Sequence, residues 1–557
     1  MVGRRAHPAE ARPATAPGLG GIALLWLLLI GVVPLLRLGA EGVLGPAGLS
    51  AEDLALWRAA GRSLVVAAGA TGLAVVLGIA MVSLLLLREV PGRRPLIFLG
   101  VLPLLVPSQV LALAAVQAGT PSSPLLLALG LAPPLGTPNP FHGAGGMILL
   151  LGVQGAPLVF LSAAGLVRRL PGGALQAARG LGARPGEALR RVAWPLLWPG
   201  ALAGAGLAWV AALGNFGVAA VLGIPGRYTV LTVLIWQRLS GGGTTALAGV
   251  AAMSLLLAVV AAPGLLAQVF AARRAALPAG GPAFVALPAG RAASVGAWLI
   301  GVYLLAVLAL PLLSLVTSAL APAPGVPIGW DNVTLRHLLS AVSPEARTLG
   351  GLRNSLLLSV SAAFILAGAA VVVALSARWR AVRIVSFAAD LAYALPGVCV
   401  AVAAILVVLG LPGGGAVYGS LAVVLFAYLM RFQALALRPV WAAAARLDPA
   451  LDDAARGLGA GVWRRLLTVQ VPLLAPALAA SGILVALLAV NEVTLSSLLS
   501  GPGTQTLGMV VFNLQDGGQG AQAAAVSLIS LAVMAALMAL AGRAGRRLPP
   551  GTLPWRP

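Results

Sequence analysis

The sequence predicts an all-α polytopic membrane protein of about 12 transmembrane helices, arranged as two parallel six-helix repeats. The 557 residues are 60% hydrophobic and only 9% charged, and the mean hydropathy is +1.00. Soluble domains carry roughly 25% charged residues. Apolar runs of membrane-spanning length recur along the chain, and several blocks of sequence occur twice. These observations together indicate a duplicated membrane protein.

Each of the apolar runs approaches the roughly 20 residues that an α-helix needs to cross the hydrocarbon core. The first run has no convincing small-residue cleavage site, so we interpret it as an uncleaved helix rather than a signal peptide. Six spans are expected in each half. The predicted spans are about 19–36, 63–87, 95–117, 146–167, 197–222, 245–270, 293–318, 355–377, 384–410, 416–437, 473–498 and 520–541.

Arginine is concentrated in the connections that fall on one side of this count. The opposite connections are poorer in charge or mixed in sign, as in 37–62 with Glu41, Glu52 and Asp53. Because short cytoplasmic loops carry an excess of basic residues, the Arg-rich side is predicted to be the cytoplasm, with both termini there. The net charge of +22 therefore reports orientation, and nucleic acid is not an expected partner. The Arg-rich connections are the N-terminal tail, 88–94, 176–195, 272–292, 378–383, 453–472 and the C-terminal tail.

The two halves are predicted to be parallel repeats, because each begins and ends on the cytoplasmic side. The run SLVVAAGATGLAVVLG from Ser63 is echoed by SLLLSVSAAFILAGAAVVVAL from Ser355, and LTVLIWQRLSGGG from Leu231 by LGMVVFNLQDGG from Leu507. The third spans carry Pro107 and Pro396. The predicted domains are a cytoplasmic tail 1–18, a first transmembrane half 19–271 with its core at 60–270, a cytoplasmic linker 272–292, a second transmembrane half 293–541 with its core at 350–541, and a cytoplasmic tail 542–557.

One polar island occurs twice without a gap. It reads QAARGLGARPGEALRRVAWP at 176–195 and DAARGLGAGVWRRLLTVQVP at 453–472, 277 positions later. Its Ala, Leu and Arg residues favour helix, its Gly interrupts the helix after about two turns, and its final Pro is expected to stop the helix before the next span. In the second copy Asp448 followed by Pro449 is a helix start signal. The pattern predicts two short helices joined by a tight turn, outside the bilayer.

The island resembles the EAA loop of ATP-binding-cassette importer permeases. Both copies match that pattern in the Ala-Ala pair, the Gly, the aliphatic residue and the Pro. They depart from it at Gln176 and Asp453, where the family has Glu, and at Trp194 and Val471, where it has Leu. The resemblance implies cytoplasmic coupling helices at 172–186 and 449–463. It assigns ATPase coupling to Gln176, Ala177, Ala178, Gly182, Pro195, Asp453, Ala454, Ala455, Gly459 and Pro472.

The resemblance implies a type I importer permease with both transmembrane subunits fused in one chain. The sequence R-F-x-A-L-A-L-R-P from Arg431 is most similar to the ferric-iron and thiamine group. The implied partners are two copies of an ATPase subunit, a periplasmic or lipoprotein solute-binding protein and membrane lipid, in a bacterial cytoplasmic membrane. Ferric iron is the first expected substrate and thiamine the second, followed by polyamines, phosphonates and inorganic oxyanions.

Polar residues within the spans are candidates for a transport pathway, because burying them in a membrane is costly. Glu492 lies in NEVTLSS, beside Asn491, and corresponds to Asn215 in GNFG of the first half. One interpretation places Asn215, Asn491 and Glu492 on the central pathway or the interface between halves. The other places them near the outer surface, with hydrogen bonds to neighbouring helices.

Enzymatic chemistry is not expected within this chain. There is no lysine, which excludes a Walker A loop, so ATP hydrolysis is assigned to a partner subunit. No cofactor or metal is expected, since Cys399 is alone and His7, His142 and His337 are scattered. An ion-gradient-driven secondary transporter is the competing class. It needs ionisable groups in its core, where Glu492 is almost alone.

Overall fold

The computed structural model describes residues 17–45, 49–167, 169–170, 172–242, 246–275, 284, 286–377 and 379–544. Among these it contains 11 helices long and apolar enough to cross a membrane, and up to 12 crossings if one sharply bent pair is a single span. The predicted all-α polytopic fold is thereby confirmed. The predicted N-terminal tail up to residue 16, residues 276–283 of the linker and the C-terminal tail from residue 545 lie outside the described residues.

The helices follow one another in the same order in the two halves. In the first half they are α1 (Pro17–Trp26), α2 (Val33–Leu44), α3 (Leu54–Met81), α4 (Arg93–Leu105), α5 (Ser108–Gly119), α6 (Pro124–Ala128), α7 (Ala144–Val167), α8 (Gly172–Gly180), α9 (Pro185–Ala188), α10 (Trp194–Gly214), α11 (Phe216–Val218), α12 (Leu231–Gly242) and α13 (Leu247–Arg274). In the second half they are α14 (Arg291–Leu320), α15 (Arg336–Ala341), α16 (Arg347–Leu375), α17 (Arg380–Ala389), α18 (Leu391–Ala394), α19 (Gly397–Leu409), α20 (Gly414–Val417), α21 (Leu421–Ala444), α22 (Pro449–Gly457), α23 (Val462–Arg465), α24 (Val471–Val490), α25 (Thr494–Leu499), α26 (Leu507–Asp516) and α27 (Gly520–Ala544).

One short β-ladder joins the loop after the second span to the end of the linker. Strand β1 (Arg88–Glu89) pairs in parallel with β2 (Leu287–Pro288). The backbone N–H of Leu287 also donates to the carbonyl of Leu87 at 3.0 Å. The start of the second half is therefore held against the first half on the side where the linker lies.

The third span of each half, predicted at 95–117 and 384–410, is broken. The breaks lie at Val106–Pro107 and Leu395–Pro396. In the second half the segments Arg380–Ala394 and Gly397–Leu409 meet at a bend of 116°. Proline lacks an N–H and disfavours the helical conformation of the residue before it, which accounts for both breaks.

The carbonyls freed by these breaks are bonded by a corresponding residue in each half. In the first half Gln154 Nε2 donates to the carbonyl of Val106 at 3.3 Å. In the second half Arg431 occupies the place of Gln154 and donates to Leu395, and also to the carbonyl of Tyr393 at 3.0 Å. A cation at the C-terminal end of α18 also complements the helix dipole.

The fifth spans end earlier than predicted, but their first turns continue through proline. Helix α10 stops at Gly214 rather than near 222, and α24 stops at Val490 rather than near 498. Pro195 and Pro472 do not end the preceding helix as expected. A π-helical turn at Leu189–Ala193 and another at Leu466–Gln470 lead directly into α10 and α24. In these wider turns each Pro enters the next helix at its first positions, where no N–H is required.

The first span of each half crosses to the other half. Helix α2 packs against α13 of its own half and α19 of the second half, whereas α14 packs against α5 of the first half. Small residues permit this approach, since a Cβ at Gly31 would lie 2.3 Å from Cβ of Ala389. A single buried core contains residues of both halves, from Leu38 to Phe512. The two repeats are therefore interlocked rather than merely adjacent.

Corresponding hydrogen bonds confirm the duplication at atomic detail. The first N–H of α12, at Leu231, donates to Ser63 Oγ at 2.8 Å, and that of α26, at Leu507, donates to Ser355 Oγ at 2.9 Å. Both serines are buried. The sequence echoes that begin at these four residues thus mark a contact that is built twice.

Candidate functional site

The two polar islands fold into hairpins whose helices have corresponding bounds. Helices α8 and α22 begin and end at corresponding residues, 277 positions apart, as do α9 and α23 and the π-helical turns that follow them. In the second copy Asp448 accepts a hydrogen bond from the N–H of Ala450 at 2.9 Å, as its start signal predicts. The predicted arrangement of helix, turn and helix is confirmed in both copies.

The turn of each hairpin is closed by a left-handed glycine. Gly182 has φ of 89° and Gly459 has φ of 78°, a conformation that costs glycine nothing and side chains with a Cβ about 1–2 kcal/mol. The N–H of Gly182 bonds the carbonyl of Arg179 at 2.9 Å, and the next N–H, of Ala183, bonds that of Ala178 at 3.0 Å. The second copy repeats both bonds. This pairing is the Schellman end of a helix.

The residues before and in the turn face outward. Gln176, Ala177 and Gly182 are exposed and Ala178 is half-buried, and the same pattern recurs in Asp453, Ala454, Gly459 and Ala455. Pro195 and Pro472 are exposed where α10 and α24 begin. The most exposed apolar side chains of the hairpins are Leu181, at 91%, and Leu458, at 89%. Each hairpin therefore presents a leucine at its tip.

The first hairpin is held to the membrane part by apolar side chains. Leu175 of α8 is 2% exposed, and Ala188 and Ala193 on the following segments are 1% and 0% exposed. Leu175 and Ala193 belong to a core that includes Val167 and Leu197 at the ends of the adjoining spans.

The second hairpin is held by polar side chains at the same three places. Asp452, Arg465 and Gln470 correspond to the three apolar residues of the first anchor. Asp452 accepts from Arg465 Nη1 at 2.6 Å and from Gln470 Nε2 at 2.9 Å. The Arg465 side chain is 7% exposed and its Nε has no hydrogen-bond partner. The sequence analysis did not find this difference, although the 277-residue alignment contains it.

Asn215 and Glu492 lie at the end of the fifth span of each half and cap the short helix that follows. Asn215 Oδ1 accepts from the N–H of Val218 at 2.9 Å, and Glu492 Oε1 accepts from that of Leu495 at 3.1 Å. Both side chains are half-buried. Each residue satisfies an orphan N–H at a helix start, which is a structural role that the sequence did not reveal.

The ends of the two fifth spans, where Asn215 and Glu492 cap the following helices, meet at the interface between the halves. Thr494 Oγ1 of the second half donates to the carbonyl of Gly214 in the first half at 3.3 Å. A Cβ at Gly214 would lie 3.4 Å from Cα of Pro396. Asn491 is oriented differently, since its Nδ2 lies 3.4 Å from Sδ of Met534 on α27. The structure thus brings the ends of the fifth spans, at residues 215 and 492, together. Asn491 is directed toward its own half.

Three aromatic side chains pack beside these span ends. The ring centroids of Phe216 and Trp236 are 5.5 Å apart, those of Phe216 and Phe512 are 5.7 Å apart, and those of Trp236 and Phe512 are 5.8 Å apart. Trp236 and Phe512 belong to the sequence echo of α12 and α26, where they occupy corresponding positions. We call these three residues the aromatic cluster. The repetition of the α12 sequence in α26 was a signal from which the equivalence of Trp236 and Phe512 could have been predicted.

Fold and surface together define a polytopic membrane protein of two homologous, interlocked halves, each of which presents one helical hairpin outside the membrane part. The chain belongs to the family described as "Binding-protein-dependent transport system inner membrane component", whose model matches residues 71–276 and again residues 362–552. No curated protein matches the chain.

The double match confirms an importer permease with two fused halves. Permeases of this family are not catalytic, and they work with ATPase and binding-protein subunits. The match therefore favours the importer class over a carrier driven by an ion gradient.

Proposed function

We propose that the chain is the transmembrane subunit of an ATP-driven importer that receives its substrate from a periplasmic or extracellular binding protein and releases it into the cytoplasm. The observation that carries this proposal is the pair of corresponding hairpins with exposed tips. A transporter driven by two ATPase subunits needs two equivalent docking elements on the same side, and the parallel repeat supplies them. We place both hairpins and both termini in the cytoplasm, in accordance with the Arg-rich connections.

The docking elements are α8–α9 and α22–α23. In this proposal the exposed tips Leu181 and Leu458 enter a groove on each ATPase, and the exposed Arg179 and Arg456 contact its rim. An apolar anchor surrounded by polar contacts is the usual composition of an interface hot spot. The residues assigned to coupling are Gln176, Ala177, Ala178, Gly182, Pro195, Asp453, Ala454, Ala455, Gly459 and Pro472.

The pathway is proposed to run between the two halves, past the aromatic cluster. Its three rings come from both halves and contact one another, which supports a state closed at this point. The long helices α10 and α24 end beside the cluster, at the positions where Asn215 and Glu492 cap the next helices. A movement of the hairpins is transmitted along these helices, because each hairpin is continuous with one of them through a π-helical turn.

Ferric iron is the proposed substrate and thiamine the alternative. The support for this order is the similarity of the sequence from Arg431 to the ferric-iron and thiamine group. Reconstitution with the binding protein and ATPase, followed by uptake of labelled ferric iron or thiamine, separates the two. Uptake of neither, with ATPase stimulation by another loaded binding protein, would reject both substrates and retain the importer.

Co-purification with a candidate ATPase tests the docking elements. The variant carrying Leu181→Asp and Leu458→Asp is expected to lose the ATPase while remaining monodisperse, because both side chains are exposed and support no core. Leu135→Asp is the matched control, since Leu135 is also 89% exposed but lies in a loop on the opposite side of the predicted topology. Retention of the ATPase by the double variant, or its loss from the control, would contradict the proposed docking.

A further inference from the structure

Helix α17 has the composition of a helix that lies at a membrane surface. Ile384 and Phe387 are 59% and 72% exposed, and the exposed Arg380 and Arg383 lie within one turn of them. The α17–α18 segment meets α19 at 116° and so does not continue the direction of that span. Exposed apolar side chains next to arginine are typical of the boundary between hydrocarbon and lipid headgroups.

A lateral groove of about 380 Å³ separates α17 from the end of α21. Phe387 and Trp441 contribute to its apolar wall, and Arg383, Arg438 and Asp390 contribute charges. Arg438 is 69% exposed and its Nη2 lies 3.6 Å from the Asp390 carboxylate, so this ion pair is loose. The groove retains one positive charge in excess and combines it with an apolar wall and an indole ring.

The groove adjoins a second cavity, of about 470 Å³, that shares Arg383 and Trp441 with it. The second cavity reaches Asp452 and Arg465, which anchor the second hairpin. It is also lined by Asp448, whose carboxylate is bonded to the start of α22.

No carboxylate of the second cavity is paired with Arg383, although its two aspartates equal its two arginines in number. Asp452 is already paired with Arg465, and among the described residues no carboxylate lies within ion-pairing distance of Arg383. The buried Nε of Arg465, which also lines the cavity, has no hydrogen-bond partner. The groove and the second cavity, which we together call the double cavity, therefore offer unused donors on the guanidinium groups of Arg383 and Arg465.

The first half lacks the complete arrangement. Arg94 and Phe98 of α4 correspond to Arg383 and Phe387 in the alignment that pairs the two third-span prolines. In the 277-residue alignment, however, Leu161 and Ala164 stand where the second half has Arg438 and Trp441. Neither an arginine nor an indole stands at these two positions of the first half, although Arg93 is adjacent to Arg94 and the Trp298 ring would lie 3.0 Å from a Cβ at Gly92. The double cavity is thus a feature of one half and not a consequence of the repeat.

We propose that the double cavity binds an anionic phospholipid. Its phosphate lies between Arg383 and Arg438, its headgroup extends toward Arg465, and an acyl chain lies in the groove against Phe387. Two arginines beside exposed apolar side chains match the two chemical parts of such a lipid, which a soluble anion does not. Because the headgroup end of the cavity adjoins the anchor of α22–α23, an occupied site stabilises the second hairpin and not the first.

The test is titration of the delipidated full-length chain in detergent with phosphatidylglycerol, followed by native mass spectrometry, with phosphatidylcholine for comparison. Wild type is expected to retain phosphatidylglycerol preferentially. The variant Arg383→Gln with Arg438→Gln is expected to bind it about thirtyfold more weakly, since each arginine near a headgroup contributes roughly fivefold. Arg94→Gln is the matched control and is expected to bind as wild type does. Hydrogen exchange is expected to slow at 449–470 on lipid addition, with no change at 172–193.

Several outcomes would overturn the proposal. They are unchanged binding by the double variant, equal weakening by Arg94→Gln, or competition by inorganic phosphate as effective as that by the lipid, which would mean a site for a soluble anion. If the double variant is not monodisperse, Arg383→Gln alone decides the question, because this exposed arginine has no carboxylate partner whose loss would disturb the fold. About fivefold weaker binding by that variant supports the site, and unchanged binding rejects it.

Discussion

Trp236 and Phe512 occupy corresponding positions in the two halves, and their rings meet edge to face at 5.8 Å with an interplanar angle of 89°. Each ring is carried by the second of the two short helices that follow the fifth span of its half, α12 or α26. Both helices begin at an N–H bonded to a serine of a long span, Ser63 or Ser355. The contact between the halves is therefore set by two equivalent structural supports.

Phe512→Ala is expected to make proteoliposomes leaky to small solutes without ATP, because it removes one side of the closure. Phe432→Ala is the matched control. Phe432 is 3% exposed and packs edge to face with Tyr428 at 5.7 Å, within α21. Both variants should lose about 3–5 kcal/mol of stability to a cavity. Solute flux measured without partners should rise only for Phe512→Ala, and equal flux in both variants would contradict a closure at the aromatic cluster.

The two hairpin anchors predict that a single substitution destabilises the second hairpin more than a triple substitution does. Arg465→Ala should destabilise the second hairpin by about 3 kcal/mol, because it leaves the Asp452 carboxylate without its partner. The triple variant Asp452→Leu, Arg465→Ala and Gln470→Ala reproduces the apolar set of the first half and should be close to wild type. Hydrogen exchange at 449–470 measures the effect. A triple variant less stable than Arg465→Ala would show that the apolar set does not fit the second half.

Arg227 is the only non-glycine residue with positive φ among the described residues, at 51°. Its counterpart is Gly503, with φ of 80°, and both carbonyls accept from corresponding side chains, Arg62 at 3.2 Å and Asn354 at 3.0 Å. Arg227→Gly should therefore raise stability by about 0.5–1 kcal/mol, the relief of left-handed strain less the entropy cost of glycine. Gly503→Arg should lower it by about 1–2 kcal/mol. Thermal unfolding of the two variants checks the signs, which should be opposite.

The ion pair between Asp53 and Arg238 predicts a dependence of stability on pH. The hydrogen bond from Arg238 is the main reason that the pKa of Asp53 lies below its ordinary value. The contribution of the pair to the free energy of unfolding is thus fully present above the pKa of Asp53 in the unfolded chain, about 3.9. It is lost as the pH falls through the lower pKa of Asp53 in the folded protein. It amounts to at most about 1 kcal/mol, because the pair is partly exposed.

Arg238→Leu, which introduces the residue found at the corresponding Leu514, should therefore lose less stability than wild type between about pH 6 and about pH 3. Asp53→Asn should behave like Arg238→Leu, since it also removes the titrating pair. Thermal unfolding at each pH provides the comparison. An equal loss in wild type and both variants would assign the acid sensitivity to other carboxyl groups.

The hairpins illustrate what could be predicted at the candidate site. Their helices, turn glycines and N-cap follow from local propensities, and the gapless repeat located both copies. The anchors were missed because a local pattern does not show that Leu175 is buried in a core or that Asp452 is paired with Arg465. Similarly, Asn215 and Glu492 were recognised as unusual polar residues, but their capping role depends on where α10 and α24 end.

The class of fold, the presence of about twelve spans, the duplication and the two hairpins could be predicted, because hydropathy, helix propensity and repetition can be read along the chain. The crossing of the first spans to the opposite half, the helix breaks at Pro107 and Pro396, and the contact of Trp236 with Phe512 became known from the tertiary structure. These features depend on contacts between residues far apart in the chain. A proline within an apolar run bends or breaks its helix according to whether another span supplies donors for the freed carbonyls, as Gln154 and Arg431 do here.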